Sequence, residues 1–193
     1  MILLIPMAYP VYKRELGSHM YTPTPYYIAA TVSNILTNMF YPLLVSTLTF
    51  WFFDYKVNNF AGYLGFLAVE ATSALCGISF GQVIGSFVHT ENAALIWLLQ
   101  SLTIYYLGAG MLVNAATTNW LGTFLQWISP LRYINELGMR RMLAGRNDQV
   151  QDAVLERLGF TWGTTTCYVL AYMYFLGCLG LGLLLMNRLS RGT

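Results

Sequence analysis

Three long stretches of the chain contain no Asp, Glu, Lys or Arg: residues 16–53, 92–131 and 158–187. A helix that crosses a bilayer needs about 20 predominantly apolar residues to span a hydrocarbon core roughly 30 Å thick. Only 9% of the residues are charged, whereas a soluble domain carries about 25%. The sequence therefore predicts an all-α, integral, multi-pass membrane protein, placed in the plasma membrane or an internal membrane.

Short polar segments divide the apolar stretches into crossings. Pro42 predicts a kink in the first crossing, because proline removes a backbone donor from a helix. Four membrane-spanning helices are expected, at residues 27–53, 60–88, 93–113 and 164–187.

The uncharged stretch 92–131 is too long for one crossing, since forty helical residues extend about 60 Å. We therefore expect a break near residues 114–120. The following segment mixes Trp, Phe and Tyr with Arg and Glu, which is typical of the membrane interface. Residues 114–163 are predicted to form a re-entrant or interfacial helical segment and a water-exposed loop before the last helix.

Polar residues inside the expected spans are candidate functional residues. Glu70 lies in the middle of the second span, where an ionised carboxylate is costly and usually faces protein or a water-filled cavity. We expect either a polar hub that takes part in gating or a hydrogen-bonded packing residue. Gly77 lies two turns further on, within a stripe of small residues that favours close helix packing.

A second polar stripe lies in the first span, where Thr31, Asn34, Asn38 and Tyr41 recur at three- and four-residue steps. This spacing places the side chains on one side of a helix. They are predicted either to line a permeation route or to form hydrogen bonds between helices.

Several functional classes are excluded or disfavoured by the sequence. It contains no GxxxxGK[ST] phosphate-binding loop and no HExxH or GxSxG motif, so we expect no catalytic residue and no ATP hydrolysis by this chain. The three cysteines lie in or beside apolar stretches, and no spacing indicates a metal site or a disulfide framework. A net charge of +2 is too small to indicate nucleic acid binding.

Three motifs occur in order along the chain: PVYKRELGSHMYTPTPYYIA, GAGMLVN and WLGTFLQWISPLRYINEL. With these motifs the sequence resembles the membrane domain of the G subfamily of ABC transporters, the white/pigment, sterol and multidrug exporter type. The resemblance covers essentially the whole chain. It implies a partial six-helix domain in which residues 1–26 form the end of the second helix and a cytoplasmic coupling segment.

The resemblance also implies roles for particular residues. The cytoplasmic segment would contact a nucleotide-binding domain, and residues near GAGMLVN would line and close a substrate cavity. The residues concerned are Tyr12, Arg14 and Glu15 for coupling, Thr103, Tyr106, Leu107 and Gly110 for the cavity, and Met111 and Leu112 for an apolar plug.

The function implied is the membrane-spanning part of an ATP-driven exporter that moves lipids, sterols or amphipathic small molecules. ATP and Mg²⁺ would bind a nucleotide-binding domain of the same or a companion chain, and no cofactor is expected in this chain. A second transporter half, identical or different, would complete a dimer, with membrane lipid around it.

Two alternatives from other functional classes stay open. The chain could be a permease that uses Glu70 to couple transport to protons or cations, since a lone acid in a membrane can act as a relay. It could also be a noncatalytic membrane scaffold subunit, for which the stripe of small residues would suffice.

Overall fold

The structure of the chain is a computed structural model that describes residues 11, 14–15, 18, 22–52, 60–88, 90–110 and 119–191. The secondary structure of these residues is helical. Within these residues there are eight helices and no strand, so the all-α prediction is confirmed. They are α1 (Pro23–Asn38), α2 (Phe40–Phe52), α3 (Phe60–Phe87), α4 (Glu91–Gly108), α5 (Trp120–Ile128), α6 (Pro130–Leu143), α7 (Asp148–Leu158) and α8 (Thr164–Arg191).

Three segments are long and apolar enough to cross a membrane: Pro23–Phe52, Phe60–Phe87 and Thr164–Arg188, with 30, 28 and 25 residues. At 1.5 Å per residue each is longer than about 35 Å, which exceeds the hydrocarbon thickness. The first combines α1 and α2, which are interrupted at Met39. Pro42 follows three residues later, and it cannot donate to the carbonyl of Asn38 as other helical residues would.

The helix α4 ends at Gly108, five residues before the expected end of the third span at Val113. Gly110 follows with a φ of 79°, in the left-handed region that suits glycine and ends helices. The helix has 18 residues, and its length of about 27 Å is close to the hydrocarbon thickness.

Residue contacts divide the chain into two units, and the long helix α3 contributes to both. The first unit contains the described parts of residues 1–38, 75–101 and 174–193. Tyr27 of α1 and Met186 of α8 are buried together there. Gly182 has no side chain, which leaves room for the Tyr27 hydroxyl at its Cα.

The second unit contains the described parts of residues 39–74 and 102–173. Its main cluster is formed by Val69 of α3, Tyr133 and Leu137 of α6, and Cys167 of α8. A smaller cluster attaches α7 and the turn after it, through Leu143, Leu155 and Phe160. The two clusters hold α6 between the long helices and α7.

Three short helices, α5, α6 and α7, lie in the region 114–163 that was expected to be re-entrant or interfacial. Ser129 has an extended backbone between α5 and α6, and Pro130 occupies the first turn of α6, where its missing N–H is not needed. α7 ends at Gly159, with φ 73°, and the Phe160 N–H donates to Leu155 O at 2.8 Å. This is a Schellman turn.

The outer surfaces of the helices are apolar. Large exposed side chains include Leu36 of α1, Trp51 of α2 and Leu184 of α8. α5 is arranged the same way, because it buries Gln126 while Trp120 and other apolar side chains are exposed. Surfaces of this kind are stable in hydrocarbon or at the membrane interface and would associate in water.

Candidate functional site

One exposed face of α4 carries three of the four residues expected to line a cavity. Thr103, Tyr106 and Leu107 are all exposed, with 55% of Tyr106 and 47% of Leu107 accessible in the single chain. Residues three and four positions apart lie on the same side of a helix. We refer to Thr103, Tyr106 and Leu107 as the α4 face. Gly110 lies beyond the helix end and is buried, so it is separate from this face.

The carboxyl end of α4 is fixed by the α5–α6 corner through two hydrogen bonds. Ser129 Oγ donates to Tyr105 O at 2.8 Å, and Asn135 Nδ2 donates to Ala109 O at 3.4 Å. The last carbonyls of a helix have no partner within the helix itself. These bonds therefore satisfy otherwise open acceptors and hold the α4 face in place.

Gly108 allows α4 to approach this corner closely. A Cβ at this position would lie 2.6 Å from the Leu125 carbonyl oxygen and 2.9 Å from Ser129 Cβ. Since neither backbone can move without breaking the helix-end hydrogen bonds, a side chain at residue 108 cannot be accommodated in this packing.

Three residues expected to act in coupling or gating lie outside the described residues: Tyr12, Met111 and Leu112. Arg14 and Glu15 are described and belong to a helical turn. The Ser18 N–H donates to Arg14 O at 3.1 Å, and Ser18 Oγ donates to Glu15 O at 2.9 Å. The roles of these five residues stay predictions.

The α1 part of the polar stripe faces inward, whereas Tyr41, which lies in α2, is 70% exposed. Asn34 is 6% exposed, and Asn38 Nδ2 donates to Asn34 O at 2.7 Å. Thr31 Oγ1 donates to Tyr27 O at 2.7 Å within α1, and Gln82 Oε1 of α3 lies 3.2 Å from the same hydroxyl, which is a polar contact between helices. Of the two interpretations given for this stripe, the contact at Thr31 favours helix association.

Glu70 is half-buried within α3. A Cβ added at Gly77, two turns further along, would find no atom within 4 Å. Within this single chain, Gly77 is therefore not a point of close helix contact.

A charged group that the sequence did not single out lies on α6. Arg132 is 5% exposed and Glu136 is 0% exposed, while Arg140 is half-buried. Glu136 Oε1 accepts hydrogen bonds from Arg140 Nη2 at 2.9 Å and from Nε at 3.2 Å. These residues lie four apart, so they follow one another along one side of α6.

Arg132 is held by the turn that ends α7. Its Nη2 donates to Gly159 O at 2.7 Å, and its Cζ lies 5.6 Å from the Phe160 ring centre and 5.9 Å from that of Trp162. Both distances are within the range of cation–π attraction. Burial lowers the pKa of the Arg132 guanidinium, and the nearby Glu136 carboxylate opposes that shift. Arginine stays protonated in proteins, so this is a buried positive charge.

A cavity of about 340 Å³ lies beside Arg132. The rings of Trp127 and Trp162 have centres 4.7 Å apart, and Trp162 also stacks on Tyr133 at 5.2 Å. The lining residues are Thr123, Gln126, Trp127, Arg132, Glu156, Gly159, Thr161 and Trp162. We call this space the α5–α7 cavity.

The sequence contained one signal for the charged group, namely the spacing of Arg132, Glu136 and Arg140. The mixture of Trp, Phe and Tyr with Arg and Glu in this segment was interpreted as typical of the membrane interface. The interpretation overlooked that three charges at four-residue steps within α6 share one side of the helix. That side is the buried one here.

The family model for the ABC-2 type transporter matches residues 1–143, well over half of the chain. The chain belongs to the ABC-2 type transporter family. The match includes α1 to α6, and therefore both the α4 face and the charged group on α6. ABC-2 domains form the membrane part of ABC transporters and work with nucleotide-binding domains. The expected ABC transporter membrane domain is thereby confirmed at the level of this family.

The family and the apolar helices together identify an integral membrane protein. Of the three functional expectations, membership in the ABC-2 family favours the first, in which the chain is a membrane component of an ATP-driven transporter. In the part of the chain that the structure describes, no cluster of His, Cys, Asp and Glu could hold a metal ion.

Proposed function

We propose that this ABC-2 domain belongs to the G-type exporters and that its α4 face lines a cavity for lipids, sterols or amphipathic small molecules. The resemblance of the three sequence motifs supports the subfamily. The observation that carries the substrate class is the α4 face, which presents an aromatic ring, an aliphatic side chain and a hydroxyl. Binding sites for small amphipathic molecules combine apolar walls with a few polar groups in this way.

A second transporter half would close the cavity. The α4 face is exposed in the single chain, so no other part of the chain that the structure describes covers it. A cavity wall needs an opposing surface, which a second half would supply. Two halves in a homo- or heterodimer would place two such faces opposite each other. The α5–α6 corner would keep each face rigid, through the Ser129 and Asn135 hydrogen bonds to the end of α4.

The transport step would combine the remaining predicted roles. ATP binding in the nucleotide-binding domains supplies the free energy, and the segment around Arg14 and Glu15 would pass the movement to the membrane helices. Met111 and Leu112 would form the apolar plug that separates the cavity from the outer side. Methionine adapts its shape easily, which suits a plug that opens and closes.

Tyr106→Ala in the transporter assembled with its nucleotide-binding domains is expected to weaken cargo binding about fivefold, because loss of an aromatic contact costs on the order of 1 kcal/mol. The measurement is ATP hydrolysis as a function of cargo concentration in proteoliposomes, with a fluorescent sterol or lipid analogue. The concentration for half-maximal stimulation should rise, while hydrolysis without cargo should stay unchanged.

Tyr172→Ala is the matched control, since Tyr172 is an exposed tyrosine of α8. It should leave the cargo response as it is in the unmodified protein. If Tyr106→Ala leaves the response unchanged, or if both substitutions weaken it equally, the α4 face does not line the cargo cavity.

A further inference from the structure

The Arg132 guanidinium has an unused hydrogen-bonding group next to the α5–α7 cavity. Nη2 donates to Gly159 O, but the buried Nη1 has no hydrogen-bond partner. A buried donor without a partner is costly, and most such groups in proteins are paired with protein, water or ligand. The residue also forms part of the cavity wall. An acceptor in the cavity would satisfy it after a small movement of the atoms that cover Nη1.

The charges of the group on α6 do not cancel. The α6 group contains two arginines and one glutamate, so it carries one net positive charge. Glu136 Oε1 accepts hydrogen bonds from Arg140 and its Oε2 is buried without a partner, while Arg132 makes no ion pair within 4 Å among the described residues. The Glu136 carboxylate is near enough to act on Arg132 without pairing with it. A buried charge without an ion-pair partner is unfavourable. An anion in the cavity would supply that partner.

The rest of the wall has a different character. Trp127 and Trp162 contribute aromatic rings, and Glu156, an exposed residue of α7, contributes a carboxylate. A carboxylate beside the cavity disfavours a ligand that carries only negative charge. Aromatic rings beside a carboxylate are the groups that recognise quaternary ammonium ions. The cavity wall therefore has a positive group, Arg132, that can bind an anion. It also has aromatic rings and a carboxylate that can bind a cation.

We propose that the α5–α7 cavity binds a zwitterionic phosphocholine-type headgroup. The phosphate accepts hydrogen bonds from Arg132, in the charge-assisted geometry for which guanidinium groups are suited. The ammonium group lies against Trp127 and Trp162, near Glu156. A volume of about 340 Å³ is at the small end of ligand pockets and matches a headgroup rather than a whole lipid. This site is separate from the α4 face, and it does not rest on the proposed transport function.

The test is a titration of the 193-residue chain in maltoside micelles with soluble phosphocholine. Binding is followed by tryptophan fluorescence and by the ³¹P linewidth of the ligand. We expect saturable binding that Arg132→Gln weakens by at least about tenfold, because the variant loses a charge-assisted hydrogen bond to the phosphate. Arg146→Gln is the control, since Arg146 is an exposed arginine outside the cavity wall. It should bind as the unmodified chain does.

Glu156→Gln provides a second variant that does not disturb a buried group. It should weaken phosphocholine binding but leave the weaker binding of inorganic phosphate unchanged or improved, since only the ammonium loses a partner. Thermal unfolding of each variant checks that it is folded. If Arg132→Gln does not fold, the proposal is tested by the binding of phosphocholine and inorganic phosphate to Glu156→Gln alone. Equal affinities of phosphocholine and inorganic phosphate, or unchanged phosphocholine binding in Glu156→Gln, would overturn the proposal.

The source of the headgroup is distinguished in nanodiscs. In phosphatidylglycerol discs the site is free of choline, so soluble phosphocholine should bind. If the natural ligand is a membrane lipid, phosphatidylcholine in the discs should occupy the site and block soluble phosphocholine. Equal binding of soluble phosphocholine in both kinds of disc would identify a soluble phosphocholine compound as the ligand. Absence of binding in both kinds of disc would contradict the site.

Discussion

Replacing Glu136 by alanine is expected to cause the largest loss of stability among single substitutions in α6, about 3–5 kcal/mol. Glu136 is fully buried and is the only carboxylate that accepts hydrogen bonds from Arg140 in the described chain. Its removal leaves Arg132 and Arg140 close together with no negative charge between them. The apparent midpoint of thermal unfolding in detergent should fall by roughly 6–20 °C, at about 2–4 °C per kcal/mol for a chain of this size.

Two further variants separate charge from lost contacts. Asp152→Ala removes an exposed carboxylate of α7 and should shift the midpoint by little, because surface charges contribute about 0–1 kcal/mol. Replacing Glu136 and Arg140 together by leucine should cost less than Glu136→Leu alone, since no new unpaired charge is created at residue 140. A double variant less stable than the single one would show that packing, and not charge, determines the effect.

Gly108→Ala is expected to reduce stability by about 1–3 kcal/mol, the usual cost of forcing an added methyl group into a packed contact. The new Cβ would lie 2.6 Å from the Leu125 carbonyl oxygen, which is backbone and cannot rotate away. α4 and the α5–α6 corner must then separate, and the hydrogen bond from Ser129 to Tyr105 O should lengthen. Faster hydrogen exchange at the end of α4, measured by mass spectrometry, would detect the separation.

Gly77→Ala is the matched control for this substitution. It replaces a helical glycine in α3 by the same residue, but an added Cβ would have no neighbour within 4 Å. Alanine favours a helix over glycine by up to about 1 kcal/mol, so this variant should be as stable as the original or more stable. A loss of stability at Gly77 comparable to that at Gly108 would indicate contacts that a single chain does not contain.

The helical layout followed from charge and apolar content, because the bilayer allows few alternatives to long apolar helices. The interruption near Pro42 and the end of α4 were less predictable. Pro42 indicated a disturbed helix, but the interruption is at Met39, three residues before the proline. It lies there because Pro42 has no N–H to donate to the Asn38 carbonyl. The helix α4 ends at the GAG sequence because Gly110 adopts a positive φ, a choice that glycine permits and does not require.

The burial of the charged group on α6 could be recognised only in three dimensions. Arg132, Arg140 and Arg141 look alike in the sequence, yet Arg132 is buried and Arg141 is exposed. What distinguishes them is the turn after α7, where Gly159 presents its carbonyl to Arg132 from 27 residues away. Contacts over such distances along the chain are not visible in local spacing, which is also why the α5–α7 cavity was not predicted.

The sheltered cysteines have a practical consequence. Cys76 and Cys167 are buried and Cys178 is partly so, and sulfur atoms in such places react slowly with maleimides. Cys76 and Cys167 should therefore give little background labelling, and only the partly buried Cys178 would have to be replaced before a reporter thiol is introduced. In the proposed dimer, a spin label or fluorophore attached to a single Leu107→Cys would report the distance between the two α4 faces.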